Sequence, residues 1–136
     1  RVEKMRLEAG HRMGLGDVSG QVQPKIVLLS PPRTGGSITS RYFVPDKTHE
    51  THAITGGIAV AYASVTSGTV AEPLAELQTN GKKPRFSIEH PAGQLHLSLS
   101  LKDGKSGKEL EAAGITRTAR MIMRGSIMVP EHLMHR

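Results

Sequence analysis

At 136 residues the chain has length for one domain with a single core. With 37% hydrophobic but only 3% aromatic residues, that core must come from Ile, Leu, Val, Ala and the six Met. The absence of cysteine excludes disulfides, thiolate metal sites and a cysteine nucleophile from these residues, and fits a reducing compartment.

Eighteen Lys and Arg against twelve Asp and Glu leave a net charge of +6, which points to an anionic partner. The basic residues are scattered from Arg1 to Arg136, and two Tyr and two Phe offer few platforms for base stacking, so nucleic acid is not the expected partner. No apolar run reaches the length of about 18 residues that a membrane span requires, and the opening RVEKMRLEAG is charged. A soluble, cytoplasmic protein with no membrane partner is expected. The chain starts at Arg1 inside a helical pattern, which suggests a piece of something longer.

Residues 1–13 read as an amphipathic helix with Val2, Met5, Ala9 and Met13 near one face and Gly14 and Gly16 as its stops. KIVLLS, bracketed by Pro24 and Pro31–Pro32, reads as a buried strand, TGG as a turn, and the β-branched and aromatic SITSRYFV as a second strand. Pro45 ends that strand, and Asp46 or Thr48 can cap the next element. HAITGGIAVAYASVTSG is apolar nearly all round, so it predicts a helix closed by Gly68 and wrapped by other elements on most sides. Residues 69–83 form a polar connection holding a weak helical fragment, AEPLAELQ.

PRFSIEH and QLHLSLSL, joined by Pro91-Ala92-Gly93, predict an antiparallel hairpin. In its second arm Leu95, Leu97, Leu99 and Leu101 alternate with His96, Ser98 and Ser100, the mark of a half-buried strand. A loop, KDGKSGKELEAAG, then leads to a last long strand, ITRTARMIMRGSIMVP, with Gly125 as a bulge or bend, before a frayed EHLMHR tail. Residues 1–136 thus form a single α+β domain, a curved antiparallel sheet of about five strands around one central helix with the first helix flanking it.

Chemistry concentrates in DKTHETHAITGG. His49 and His52, at i and i+3 with Asp46 and Glu50 nearby, allow a divalent metal, but the spacing is not HExxH and a polar helix start explains it better, so no metal is expected. The first N–H groups of the helix favour a carboxylate or phosphate. Gly56 and Gly57 suit close approach of a ligand and close packing on a sheet equally well. PPRTGGS lacks the GxxxxGK[ST] spacing and reads as a hairpin turn. Arg41 beside Tyr42 is either a carboxylate clamp or an arginine on a wet sheet face. His90 and His96 flank the PAG turn without a visible partner, and Ser19, Ser30 and Ser37 show no paired base, so no catalytic residue is assigned.

Taken in order, MRLEAGHRMGLGDVSG, KIVLLSPPRTGGSITSRYFVP, H-AITGGIAVA and SIEHPAGQL resemble the second half of the PrpF family, from Met5 to about Pro130. That family includes 2-methylaconitate isomerases and 4-oxalomesaconate tautomerases, relatives of diaminopimelate epimerase. The resemblance implies a diaminopimelate epimerase-like half-domain and a cofactor-free allylic isomerisation of an unsaturated di- or tricarboxylate. It implies that substrate carboxylates lie against helix N-termini, which makes Thr48, His49, Thr55 and Gly56 the expected substrate contacts. Thr48 stands where the family often has Cys, and Glu50 where it often has Arg. The family's catalytic Lys and Cys belong mainly to its first half, so this chain alone is expected to be catalytically incomplete. Its expected partners are a small anionic carboxylate substrate and the missing N-terminal half of the parent protein, or a second copy in a homodimer. The alternative is an inactive binding or assembly module of the same fold.

Overall fold

The computed structural model describes residues 1–44, 47–77, 85–104 and 107–133. Val2–Arg12 form helix α1, and Gly14 and Gly16 come after it in left-handed conformations. Its buried residues are Arg6 and Gly10, whereas on the predicted face Met5 is 60% and Met13 63% exposed and Val2 and Ala9 are half-buried. A guanidinium, not an apolar stripe, ties this helix down. Arg6 donates through Nε and Nη2 to the Glu3 carboxylate, through Nη1 to the Gln23 carbonyl at 2.7 Å and through Nη2 to the Val18 carbonyl at 2.9 Å. The fork's several N–H donors let one side chain reach two loop carbonyls and both oxygens of a carboxylate.

The described residues hold six strands: β1 (Val27–Ser30), β2 (Ile38–Val44), β3 (Lys47–Thr48), β4 (Arg85–His90), β5 (Gly93–Gly104) and β6 (Gly107–Ile115). They form one sheet in the order β1-β2-β4-β5-β6, with β3 attached to β2. The α+β architecture read from the sequence holds, with one difference: β2 and β4 pair in parallel, Ile38 against Ile88. The chain between them crosses over through a helix, and such a connection returns the second strand in the same direction.

That helix is α2 (Ile54–Ala63). It is shorter than the apolar run predicts: past the C-cap Ser64 the Val65 and Thr66 N–H groups turn to the Tyr62 and Ala63 carbonyls, each at 3.1 Å, and Ser64 Oγ and Thr66 Oγ1 bond back to the Val60 and Tyr62 carbonyls, each at 2.8 Å, which weakens a helix end. Thr48 is no cap. It lies in β3, and Ala53 is the N-cap, with no side-chain hydrogen bond to the helix start; Asp46 falls outside the described residues. Gly57, Val60 and Ala61 face the sheet. A Cβ at Gly57 would come within 2.6 Å of Leu95 Cδ2, so this glycine brings the helix onto β5. On the opposite side Ile54 is 43% exposed and Thr55 and Ala59 are open, less covering than the all-round apolar composition predicts. The weak fragment before β4 is a single 3-10 turn, Glu72–Leu74.

The β4–β5 hairpin forms as predicted, with Phe86 opposite Leu97 and Ile88 opposite Leu95. Leu95, Leu97 and Leu99 are buried beside Ile38, Val60, Ala61, Ala71, Phe86 and Ile88, while His96, Ser98 and Ser100 face solvent. The C-terminal prediction fails. The segment expected as a loop supplies the end of β5 and all of β6 but its last residue, Ile115, since KELEAAGI can pair with the extended LSLSLKDG, Leu99 against Ala113 and Lys102 against Glu109. Residues 116–130 form no strand, and Gly125 is no bulge. Ile122 and Met128 there are 91% and 92% exposed, because no strand edge of the described residues receives them. Glu131–Leu133 make a 3-10 turn where the tail was expected to fray. Among the described residues no helix is long and apolar enough to cross a membrane.

Candidate functional site

The histidine-rich segment folds around one ring. Alternation along β2 turns Ser40 and Tyr42 toward α2, and Tyr42, only 4% exposed, is the hub. The His52 ring lies 4.7 Å from its centroid, the His49 ring 6.4 Å away edge-on, and the Lys25 ammonium 5.5 Å over its face. A Cβ at Gly56 would collide with the ring, so the space a side chain would fill is the seat of Tyr42. Close packing is thus present at both glycines.

Tyr42, Lys25, Gln23, Thr55 and Gly56 line a pocket of about 450 Å³ that runs along α2 toward Ala63 and Ala71. Thr55 and Gly56 therefore share a concave site at the start of the helix. Thr48 and His49 do not line it. Thr48 pairs with Phe43 on β3, and His49 sits exposed at the outer edge of Tyr42, its backbone N–H donating to the Tyr42 carbonyl at 2.7 Å.

Ring nitrogens of both His49 and His52 have partners within the chain. His52 uses both ring nitrogens, Nε2 toward Ser40 Oγ and Nδ1 toward the Ala53 carbonyl, each at 3.0 Å, and His49 Nδ1 accepts the Thr51 N–H at 3.1 Å. Among the described residues no group of three or more His, Asp or Glu is placed to hold an ion.

The two inner histidines are held toward their neutral forms. Burial pushes His52 below the ordinary histidine range; the Ala53 carbonyl opposes this and the charges of His90 and His49 reinforce it. Burial likewise lowers His90; the Glu50 backbone opposes this, and His49, Arg117 and Arg41 reinforce it. The hairpin turn is held beside these groups by the Ala92 N–H donating to the Glu50 carbonyl at 3.0 Å. The positive character of the site comes from Lys25 and the uncapped start of α2, which favour an anion.

A second cradle, which the sequence did not announce, is already filled. The turn between β1 and β2, PPRTGGS, wraps the Glu89 carboxylate: Oε1 accepts the N–H groups of Thr34 at 2.6 Å and Gly36 at 2.8 Å, and Oε2 accepts the Arg33 N–H at 2.8 Å and the Thr39 hydroxyl at 2.6 Å. Burial on its own raises the pKa of Glu89, but the Thr39 hydroxyl and the three N–H donors outweigh it and bring it down to about 2. His96 also has a partner the sequence did not show: its Nδ1 lies 2.8 Å from Ser87 Oγ across the hairpin.

The PrpF protein family model matches residues 1–130 of this sequence. The chain belongs to the PrpF family. It is 38% identical over 129 residues to 4-oxalomesaconate tautomerase of Pseudomonas putida, covering 95% of this chain and 34% of that protein. Against (4E)-oxalomesaconate Delta-isomerase of a Novosphingobium species the identity is 37% over 129 residues, covering 95% and 35%. The crystal structure of methylitaconate-delta-isomerase shares the fold, with a TM-score of 0.65 at 20% identity over 85% of this chain and 36% of that one. The chain thus spans about a third of the length of these PrpF relatives.

Within the PrpF fold, three residues missed by sequence reasoning shape this region. Lys25 was hidden at the head of an apolar strand, Tyr42 looked like an ordinary strand aromatic, and Glu89 lay inside PRFSIEH, where alternation alone assigns it to a wet face. A signal for Glu89 did exist: a carboxylate on β4 and a glycine-rich turn rich in free N–H groups are complementary.

Proposed function

We propose that this chain is the C-terminal portion of a cofactor-independent isomerase that shifts a double bond in an unsaturated di- or tricarboxylate by allylic proton transfer. The observation that carries the reading is the gathering of Lys25, Thr55 and the uncapped first turn of α2 around Tyr42, at one end of a pocket of about 450 Å³. Lys25 supplies a cation, and the N–H groups of Ile54 to Gly56 supply donors and the positive end of the helix dipole. A carboxylate held there has its charge stabilised as electron density moves toward it, when a proton leaves the allylic carbon. A second proton returned to the far end of the allyl system completes the shift with no net change in atoms or electrons. No residue of this chain is assigned as the acid or the base; those roles fall to a first half that closes over the open side of α2.

The names of the relatives support the substrate class, since each is an isomerase or tautomerase of an unsaturated carboxylate. Thr48 and His49 act as rim contacts in this reading, and Thr55 and Gly56 as direct ones. The test is to incubate the parent protein, first half included, with an unsaturated tricarboxylate in D2O containing EDTA and to follow proton NMR. Double-bond migration with deuterium entering the allylic position is expected, and Lys25→Gln should lower kcat/KM by about tenfold or more, the effect of losing one charge-assisted contact. The absence of both exchange and migration would refute the isomerase reading.

A further inference from the structure

Arg33 and Arg41 belong to a different face. Because Ser40 and Tyr42 turn toward His52 and Gly56, Thr39 and Arg41 project from the other side of β2. There the two arginines line a pocket of about 400 Å³ with Thr34, Thr39, His90 and Gln94. A smaller recess of about 160 Å³ on the same face shares Arg33, Thr39 and Arg41. The guanidiniums therefore sit where two hollows meet.

The carboxylate bordering this pocket is Glu89, and its four hydrogen bonds all come from uncharged donors: the N–H groups of Arg33, Thr34 and Gly36 and the Thr39 hydroxyl. Neither arginine takes part through its side chain. Among the described residues the ion pairs are Arg6–Glu3, Arg12–Glu8 and Lys102–Glu109, so Arg33 and Arg41 pair with no carboxylate. The contact found for the Arg41 guanidinium is Nη1 donating to the Ser40 carbonyl at 3.1 Å. Two cations thus face a pocket whose one anion is saturated, which leaves a net positive charge and unused forked donors. The loop carrying Arg33 is pinned by Glu89 through three backbone N–H groups, so little backbone ordering remains to be lost on binding.

We infer that this outer pocket binds a small oxyanion, a carboxylate or phosphate group, between the guanidinium forks of Arg33 and Arg41. The site is separate from the anchor at the start of α2 and stands independently of the isomerase reading. Its test is an amide NMR titration of the whole chain with inorganic phosphate and, in parallel, with succinate. Both are repeated on the double variant Arg33→Gln, Arg41→Gln; both positions are exposed, and an unchanged urea midpoint verifies the fold.

Saturable shifts centred on Thr34, Thr39, Arg41 and Gln94, weakened about tenfold or more in the double variant, are expected. A response to phosphate alone assigns a phosphate group as the ligand; a response to succinate assigns a carboxylate. No saturable shift at these amides with either probe, or equal affinity in the double variant, would overturn the site. Shifts confined to Thr55 and Gly56 would overturn it too, while leaving the α2 anchor standing.

Discussion

Glu89→Ala is expected to destabilise the fold by about 3 kcal/mol or more, because it strands three N–H donors and a hydroxyl, each worth about 1–3 kcal/mol when buried and unpaired. Water entering from the adjacent pocket offsets part of that sum. Glu89→Gln keeps the volume but presents an amide group to donors that need an acceptor, so its cost should be about 2 kcal/mol, less than for Ala. The pH dependence is set by the sign of the shift. Glu89 in the fold titrates at about 2 against an ordinary 4.5, so the folded state favours the ionised form. Its contribution is fully present above the unfolded value and is lost as pH falls from there toward the folded one. With solvent close to the carboxylate, about 2–3 kcal/mol is at stake. Urea unfolding should therefore show a gap between wild type and Glu89→Gln at neutral pH that closes as pH falls from about 4.5 toward 2. Equal midpoints at neutral pH would mean that the cradle contributes nothing.

Tyr42→Ala should cost about 3–5 kcal/mol, the range for deleting a buried aromatic ring, whereas Tyr42→Phe should cost about 1 kcal/mol or less. The ring packs where Gly56 has no side chain, flanks His52 and carries Lys25 over its face. Its removal opens a hole beneath the first turn of α2 that the helix cannot fill, since position 56 has no side chain to move. A second readout separates this from general loss of packing. His52 titrates below the ordinary range chiefly because it is buried, so its NMR titration should move upward in Tyr42→Ala and stay put in Tyr42→Phe. An Ala variant with wild-type stability and an unmoved His52 would remove Tyr42 from the centre of the site.

Much of this architecture was legible because its signals are local. Strict alternation of Leu95, Leu97 and Leu99 with His96, Ser98 and Ser100 specifies one wet and one dry face, and the structure places them so. The apolar run after His52 marked a helix, although it stops at Ala63, past which Ser64 and Thr66 bond back to the backbone. The illegible features depended on partners far along the chain. Arg6 looked like a solvent residue until the loop carbonyls of Val18 and Gln23 came within reach of it. Glu89 is more than fifty positions from the N–H groups it binds, and no period in the sequence announces such a pairing. The strand assigned to residues 115–130 failed for a related reason: propensity identifies a segment that can pair, but pairing needs an edge, and β6 already holds the edge of β5.

The site shows the same division. The family resemblance implied Thr48, His49, Thr55 and Gly56 together; the fold puts Thr55 and Gly56 in the lining of the pocket and leaves Thr48 and His49 outside it. Lys25 and Tyr42 reach the site only because β1 and β2 run side by side, Val27 opposite Tyr42.

Whether the start of α2 anchors a carboxylate can be read from a backbone amide titration with an unsaturated tricarboxylate such as aconitate, in the protein joined to its first half. Saturable shifts at Ile54, Thr55 and Gly56 that weaken about tenfold in Lys25→Gln are predicted. Amides that stay unshifted at these three positions would contradict the anchor and the isomerase reading built on it.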